Sequence, residues 1–289
     1  MAEPTVRRPV DSLSDALHLD LDGAWAGNTV VERRLDLREW GPKLRFSTPS
    51  RLIDRFFQDV EPKLSSFLLY GSGDFHHLTA LWIRRMKERF VLVCFDNHPD
   101  WDRRPPKWGC GGWINRALDL AHLERASIWG CGNFECWWPY QIFGNRRAER
   151  SGRLEIHPWA DDRSEADQQR RGAILRGNWQ NRFDEFLQTI RGATVYVSID
   201  LDCLVPDEAV TNWENGRFTS SDVMWALAQL RENCRIAGGD VCGAFSEPHY
   251  ARWKQRFAAG FDHPKLRRQS AAETVNFRTL ARIWPLLTG

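Results

Sequence analysis

The chain has 289 residues, of which 42% are hydrophobic and 27% are charged. These proportions are typical of a globular protein with a large core and exclude collagen-like and disordered chains. The net charge is +2 with acids and bases interleaved, so we expect no nucleic-acid partner. No apolar run is long enough to span a membrane, and Met1 to Val10 lacks the apolar stretch of a secretory signal. The seven scattered cysteines contain no C-x-x-C pair, which favours a cytoplasmic protein without membrane contact.

Short apolar runs that end in polar or glycine residues alternate with helix-like segments. This alternation favours a parallel sheet covered by helices on both faces, in a single domain over 1–289. We expect the site beyond the carboxyl ends of the strands, and Ser220 or Ser221 as the cap of the last predicted helix. The predicted strands are 17–22, 66–70, 90–95, 126–129, 153–156, 194–199 and 236–242. The predicted helices are 49–59, 78–86, 114–124, 183–191 and 220–233. The polar stretch 145–178 is predicted to be a surface loop or helix.

The densest polar cluster follows the predicted strand 90–95 and reads Asp96-Asn97-His98-Pro99-Asp100. In an extended segment residues 96, 98 and 100 project to the same side. Two carboxylates beside an imidazole repel each other unless a divalent cation lies among them. The alternative is an ordinary histidine, with aspartates that cap a following helix.

Two further clusters occupy equivalent positions. Asp200 and Asp202 end the predicted strand 194–199, and His76 and His77 follow the glycine turn Gly71-Ser72-Gly73-Asp74. Paired histidines at a helix start are more often surface residues than ligands. Taken together, however, the three clusters supply six oxygen and nitrogen ligands without a thiolate, a set that suits two hard divalent ions such as Mn²⁺.

The order glycine turn–His, D-x-H-x-D and S-x-D-x-D resembles the arginase/agmatinase ureohydrolases over about Ser66 to Pro248. The resemblance implies a three-layer α/β fold with a mostly parallel eight-stranded sheet and two bound Mn²⁺ ions. It also implies a catalytic role for Asp100, as acceptor of a hydrogen bond from the attacking hydroxide. The implied ligands are His76, Asp96 and Asp100 at one ion, His98 and Asp202 at the other, and Asp200 as the bridge, with His77 as the alternative to His76 because Phe75 interrupts the motif.

Three departures from the family's pattern bear on the site. Gly243 stands where the family has the glutamate that grips the guanidinium group, and Val205 stands where the family's continued motif, D-x-D-x-x-D-P, has its third aspartate. We therefore predict that Glu214 or Glu247 binds the substrate, together with Asn212; Asp240 and Asp102 are the remaining acids considered for the guanidinium. The loop 101–113 has no histidine, serine or asparagine to hold the α-carboxylate of a free arginine or to shuttle protons.

A substrate whose α-groups are already in peptide bonds would need no such loop. The chain thus most resembles the atypical peptide arginases, which convert arginine side chains of ribosomal peptides to ornithine and release urea. The expected partner is an arginine-containing precursor peptide, whose flanks could lie against Trp108 or Trp113, and the enzyme could be a homo-oligomer. The alternatives are a hydrolase of a free guanidino compound, a metal-dependent amide hydrolase or deacetylase of the same fold, and a non-catalytic metal-binding protein.

Overall fold

A computed structural model of the chain describes residues 15–264 and 272–289. Within these residues eight strands form one sheet, in which every neighbouring pair is parallel and the order is β2-β1-β3-β8-β7-β4-β5-β6. This confirms the expected sheet. The strands are β1 (Ala16–Asp20), β2 (Arg34–Asp36), β3 (Phe67–Tyr70), β4 (Phe90–Phe95), β5 (Leu123–Cys131), β6 (Leu154–Pro158), β7 (Thr194–Asp200) and β8 (Arg235–Cys242).

Helices cover both faces of the sheet, as a parallel sheet requires. The described helices are α1 (Gly41–Leu44), α2 (Ser50–Val60), α3 (Thr79–Trp82), α4 (Ile114–Ala117), α5 (Arg146–Arg150), α6 (Glu165–Gln168), α7 (Trp179–Ile190), α8 (Ser220–Asn233), α9 (Trp253–Asp262) and α10 (Ala272–Thr288).

The residues of β4 alternate between two hydrophobic clusters, one on each face of the sheet. Leu92 and Cys94 belong to the cluster that contains α2, α3 and α4. Val91 and Val93 belong to the cluster that contains α7, α8 and α10. Because successive side chains of a strand point to opposite faces, this division places the sheet as the middle of three layers.

The seven predicted strands are present, whereas several helix predictions were wrong. The predicted helix 114–124 ends at Ala117, because Leu123 begins β5 and pairs with Phe90 of β4. The helix 78–86 is a single α-helical turn followed by a 3₁₀ turn. Neither predicted serine caps α8: the Thr219 side chain accepts from the Asp222 backbone and the Asp222 side chain accepts in return.

The polar stretch 145–178 contains the helices α5 and α6, as predicted, and also β6, which corresponds to the separate strand prediction over 153–156. No helix among the described residues is long and apolar enough to cross a membrane.

Candidate metal centre and adjoining pocket

Three neighbouring strands bring the predicted clusters to one edge of the sheet. His76 lies in a 3₁₀ turn that follows β3, Asp96 comes directly after β4, and Asp200 is the last residue of β7. In the sheet order these strands are separated only by β8. Their carboxyl ends therefore converge, and the three sequence clusters meet in space although 124 positions separate His76 from Asp200.

Four aspartates and two histidines form the centre, and all six are buried or nearly so. Nδ1 of His76 lies 3.0 Å from Oδ2 of Asp96, 3.3 Å from Oδ2 of Asp100 and 3.5 Å from Oδ2 of Asp200. This half of the centre is the group that the resemblance placed around one ion.

The second half forms around His98, whose Nδ1 lies 2.9 Å from Oδ2 of Asp202 and 3.6 Å from Oδ1 of Asp96. Asp96 thus presents one oxygen to each histidine. The resemblance had placed Asp96 on the His76 side alone; in the structure it stands between the two halves.

A hydrogen-bond chain behind His76 fixes which ring nitrogen faces away from the carboxylates of the centre. Ser198 donates its hydroxyl proton to Oδ1 of Asp240 at 2.7 Å, and the same hydroxyl lies 2.9 Å from Nε2 of His76. Because a hydroxyl has one proton to donate, Nε2 of His76 must be the donor to Ser198. In the neutral ring Nδ1 then carries a lone pair, and this buried atom faces carboxylate oxygens without a hydrogen bond. A cation is the partner that this arrangement fits.

The carboxylates of the centre lie close together, and this raises the pKa of three of them. Burial and the nearby Asp96 raise the pKa of Asp100 to about 7 and that of Asp202 to about 6. Burial and Asp202 raise the pKa of Asp200 well above its usual value. The pKa of His98 is also raised well above its ordinary value, since Asp202 and Asp96 outweigh the effect of burial. The centre therefore favours positive charge among its carboxylates.

Two cysteines border the centre. Sγ of Cys94 lies 4.0 Å from Nε2 of His76, and Sγ of Cys242 lies 3.4 Å from Oδ2 of Asp200. Burial raises the pKa of both thiols, so they are neutral when no ion is bound. The charged and lone-pair donors are thus carboxylates and imidazoles, a set that suits a hard or borderline divalent ion.

The structure distinguishes the two candidate histidines of the first cluster. His77 is buried with no hydrogen bond to either ring nitrogen, and burial lowers its pKa to about 3. None of the carboxylates of the centre contacts it within ion-pair distance among the described residues, whereas three contact His76. His76 is the histidine that faces the centre.

Asp100 is positioned by a tryptophan that the sequence analysis had placed elsewhere. Nε1 of Trp113 donates to Oδ2 of Asp100 at 2.6 Å, and the Asp100 backbone adopts a φ of 45°, unusual for a residue with a side chain. Trp113 is 0% exposed and Trp108 is 5% exposed. The prediction that these two rings receive peptide flanks was therefore wrong, because both are buried in the core.

A pocket of about 430 Å³ opens onto the centre. Its walls contain four aromatic side chains, Phe46, Phe134, Trp213 and Phe261, and its acids beyond the six residues of the centre are Asp102, Glu135, Glu214 and Asp262. Phe134 and Phe261 are 54% and 75% exposed. The pocket thus combines an acidic interior with an exposed aromatic rim.

Glu214 is one of the predicted substrate residues, and it does line this pocket. Its Oε2 lies 3.6 Å from Nε2 of His98, and the proximity of His98 lowers its pKa. Nε2 of His98 has no hydrogen bond, so Glu214 acts on it as a nearby charge rather than as a hydrogen-bond acceptor. This position suits a residue that orients His98.

The other two predicted substrate residues lie outside the pocket walls. Nδ2 of Asn212 donates to the carbonyl oxygen of Ser246 at 2.9 Å, and Oδ1 accepts from the Ser246 amide at 3.0 Å. Asn212 therefore fixes the backbone after β8. Glu247 is exposed, and its carbonyl oxygen accepts from Nη1 of Arg45 at 3.3 Å. We do not retain either as a substrate residue.

The two further acids considered for the guanidinium are already engaged. Asp240 lies within β8 and accepts hydrogen bonds from Tyr196 and Ser198. Asp102 lines the pocket, but its carboxylate receives Nε of Arg104 at 2.8 Å and a second bond from the same guanidinium.

Glu135 is a pocket residue that sequence reasoning missed. It lies just beyond β5, and among the described residues its side chain has no ion pair or hydrogen bond. Burial raises its pKa. The glycine-rich end of the predicted strand 126–129 was the available signal, because it brings this segment to the same sheet edge as the centre.

The absence of a glutamate at position 243 has a steric reason. Gly243 has a φ of +101°, and a Cβ built there would overlap Oδ1 of Asp200. A side chain at this position would displace a carboxylate of the centre, so glycine is required.

No model of a known protein family matches the chain. A Thermotoga maritima protein described only as uncharacterized is 30% identical over 186 residues, which is 64% of this chain and 61% of that protein. The matched region thus spans about three fifths of the relative's length.

Solved structures match over nearly the whole chain. Arginase from Bacillus subtilis is 12% identical with a TM-score of 0.56, covering 95% of this chain and 98% of that one. Proclavaminate amidino hydrolase from Streptomyces clavuligerus is 13% identical with a TM-score of 0.56, covering 95% and 92%. Arginase from Medicago truncatula is 14% identical with a TM-score of 0.55, covering 94% and 85%. Together with the parallel eight-stranded sheet, these likenesses show that the chain has the arginase-like fold.

Proposed function

We propose that the chain is a metal-dependent amidinohydrolase that converts arginine side chains of a peptide to ornithine and releases urea. The observation that carries the proposal is the buried centre of four carboxylates and two imidazoles at the floor of an acidic pocket. Solved amidinohydrolases with the same fold support the reaction class.

Two divalent ions, with Mn²⁺ as the proposed metal, fit the donors of this centre. His76, Asp100, Asp96 and Asp200 would hold one ion, and His98, Asp202, Asp96 and Asp200 the other. The unbonded Nδ1 of His76 and the raised pKa values of Asp100 and Asp202 support this assignment. Ions bound there would lower the pKa of a water molecule and so provide a nucleophile at neutral pH.

In the reaction the bond between Nε and Cζ of the arginine breaks. The oxygen of water joins Cζ, which leaves as urea, and Nε gains a proton to become the amine of ornithine. Asp100 lines the pocket, so its carboxylate is placed to accept a proton from the attacking water and return it to the leaving nitrogen. Trp113 holds Oδ2 of Asp100 in place for this transfer.

Glu135 is the residue that we propose for binding the guanidinium group. It lies in the pocket wall without a cationic partner among the described residues, and burial raises its pKa. An arginine side chain entering the pocket would supply the missing charge and a planar pair of donors.

The pocket walls support a peptide rather than a free amino acid. Arg104 is the pocket cation that could receive an α-carboxylate, and Asp102 already occupies it. Asn133 also reaches the pocket, but its side-chain oxygen accepts from the Glu135 backbone. Phe134 and Phe261 instead offer exposed apolar surface at the rim, against which residues flanking the arginine can pack.

The test is the specificity constant for urea release with Mn²⁺ present. We expect kcat/KM for a peptidyl arginine to exceed that for free arginine or agmatine by about 100-fold, the cost of burying two unpaired polar groups. Equal or better turnover of free arginine or agmatine would contradict the peptide substrate and leave a hydrolase of free guanidino compounds. Release of acetate from acetyl-lysine peptides, without urea, would instead indicate an amide hydrolase.

A further inference from the structure

A second cavity of about 800 Å³ lies beside the pocket. We call it the basic groove, because six cationic side chains line it: Arg103, Arg104, Lys107, Arg116, Arg147 and Arg153. The acids that line it are Asp102 and Asp119. The groove therefore has an excess of four positive charges, which contrasts with the net charge of +2 of the entire chain.

The ion pairs in the groove leave this excess uncompensated. Asp102 is bound by Arg104, and Asp119 accepts from Nη1 of Arg116 at 2.7 Å. Within 15–264 and 272–289, no ion pair involves Arg103, Lys107 or Arg147, and all three are exposed.

Arg153 is the fourth cation whose charge is not compensated, since its guanidinium donates only to the backbone carbonyl oxygens of Leu118 and Leu123. Unpaired cations that line one concave surface produce a positive potential that attracts anions.

The groove and the pocket share a wall. Asp102, Arg104, Pro105, Pro106 and Gly112 line both cavities. An extended chain advances about 3.3–3.6 Å per residue, so a peptide whose arginine enters the pocket can cross this wall and lay the adjoining residues in the groove. The two cavities are complementary in charge: the pocket is acidic and receives a cation, and the groove is basic and receives anions.

We infer that the basic groove binds an acidic segment of the peptide substrate, adjacent to the arginine that is hydrolysed. The inference rests on the proposed function for the identity of the substrate, and it adds the side chains that select the peptide. Aspartate and glutamate are the complementary residues, because guanidinium groups bind carboxylates through two parallel hydrogen bonds. The groove thus makes acidic neighbours of the arginine a determinant of specificity.

The experiment compares two peptides of equal length with one arginine each, one carrying Asp and Glu beside the arginine and the other Asn and Gln. Two readouts are used: kcat/KM for urea release, and binding of fluorescent versions in which lysine replaces the arginine, followed by anisotropy at low and high salt. The variant is the double substitution Arg103→Glu and Lys107→Glu. The control is Lys87→Glu, an exposed lysine without an ion pair among the described residues, before β4 at the opposite end of the sheet.

We expect the acidic peptide to be preferred by at least about tenfold in both readouts, with the preference reduced at high salt. The double variant should abolish the preference without changing kcat/KM for the neutral peptide, and Lys87→Glu should retain it. Equal binding of the two peptides, or a preference that survives in the double variant, would overturn the inference.

The outcomes also separate the inference from the proposed function. Salt-sensitive binding of the acidic peptide that is lost in the double variant, with no urea from any peptide, would support the groove and contradict the reaction. Release of urea from both peptides at equal rates, together with equal binding, would support the reaction and contradict the groove. Tighter binding of a single-stranded oligonucleotide than of the acidic peptide would identify a nucleic-acid surface and overturn the inference.

Discussion

Nε1 of Trp113 donates a hydrogen bond of 2.6 Å to Oδ2 of Asp100. The contact joins a fully buried ring to the proposed catalytic carboxylate, whose backbone has a positive φ. A carboxylate held in this way cannot rotate away from the centre without losing a buried charge-assisted bond. In the proposed reaction Trp113 acts through Asp100 and is a positioning residue.

Trp113→Phe removes this hydrogen bond and keeps most of the aromatic volume. We expect kcat to fall by roughly 10- to 100-fold, since hydrogen bonds to charged groups contribute about 1.5–3 kcal/mol, with a shift in the pH profile of kcat. The matched control is Trp82→Phe, since Trp82 is buried and its Nε1 has no hydrogen bond within the described ranges. Equal losses of activity in both variants would indicate a packing effect and contradict the positioning role.

Gly243 tests whether the centre tolerates a side chain beneath Asp200. Gly243→Ala introduces a Cβ that overlaps Oδ1 of Asp200 and strains a backbone with φ of +101°. We expect the variant to lose bound metal and most activity. Gly192→Ala is the control, because its φ is +78° and a Cβ there would contact nothing within 4 Å. If the two variants bind metal equally by elemental analysis, the steric account of Gly243 is wrong.

Two glutamates of the pocket should give different phenotypes. Glu135→Gln should lower kcat/KM for peptidyl arginine by roughly 30-fold or more, because removing one partner of a buried charge pair costs about 2 kcal/mol or more, while metal content stays unchanged. Glu214→Gln should instead weaken metal binding, by about 10-fold or more, because Glu214 faces the second nitrogen of His98. Kinetics and metal titration of both variants provide the check. If Glu135→Gln weakens metal binding and Glu214→Gln lowers kcat/KM instead, the two roles are the reverse of those proposed.

The stability of the fold should depend on pH through buried histidines outside the centre. Burial lowers the pKa of His18 to about 4 and that of His157 to about 3. In the unfolded chain these rings titrate near pH 6.5, so below that pH the unfolded state binds protons that the folded state does not bind. Stability is therefore complete above about pH 6.5 and falls as the pH drops toward 4, by about 1.4 kcal/mol per pH unit for each histidine.

His157→Phe isolates one of these contributions. The His157 ring stacks on Trp129 at 3.6 Å between centroids, and neither of its nitrogens forms a hydrogen bond, so phenylalanine can replace it without titrating. Urea unfolding near neutral pH and at about pH 5 should show a weaker loss of stability in this variant than in the wild type. The control is the exposed His122, changed to phenylalanine. An unchanged pH dependence in His157→Phe would refute the assignment.

The sequence predicts the strands of the sheet well, because a strand depends on a local pattern. Apolar runs such as 90–95 define strands, and polar residues such as Asp96 and Asp200 mark their carboxyl ends. The helix predicted over 114–124 failed because the pairing of Leu123 with Phe90 is a contact between distant segments.

The substrate residues were less accessible to sequence reasoning for the same reason. Asn212 is predicted from the sequence to bind the substrate, yet its side-chain amide is hydrogen-bonded to Ser246, 34 positions away. Glu135 and Trp113 belong to no motif, and the roles proposed for them depend on β4 and β5 bringing them to the centre. Only the folded chain shows which polar groups already have hydrogen-bond partners.

The central claim, hydrolysis of a peptidyl guanidinium at this centre, is tested most directly by mass spectrometry of an arginine-containing peptide. The peptide is incubated with the protein and Mn²⁺, in parallel with Asp200→Asn, a nearly isosteric change that should strip metal while the fold survives. We predict a loss of about 42 Da localised to the arginine, the difference between urea and the water consumed, with wild-type protein and no loss with Asp200→Asn. An unchanged arginine in peptides treated with metal-loaded wild-type protein, or equal turnover by Asp200→Asn, would contradict the account.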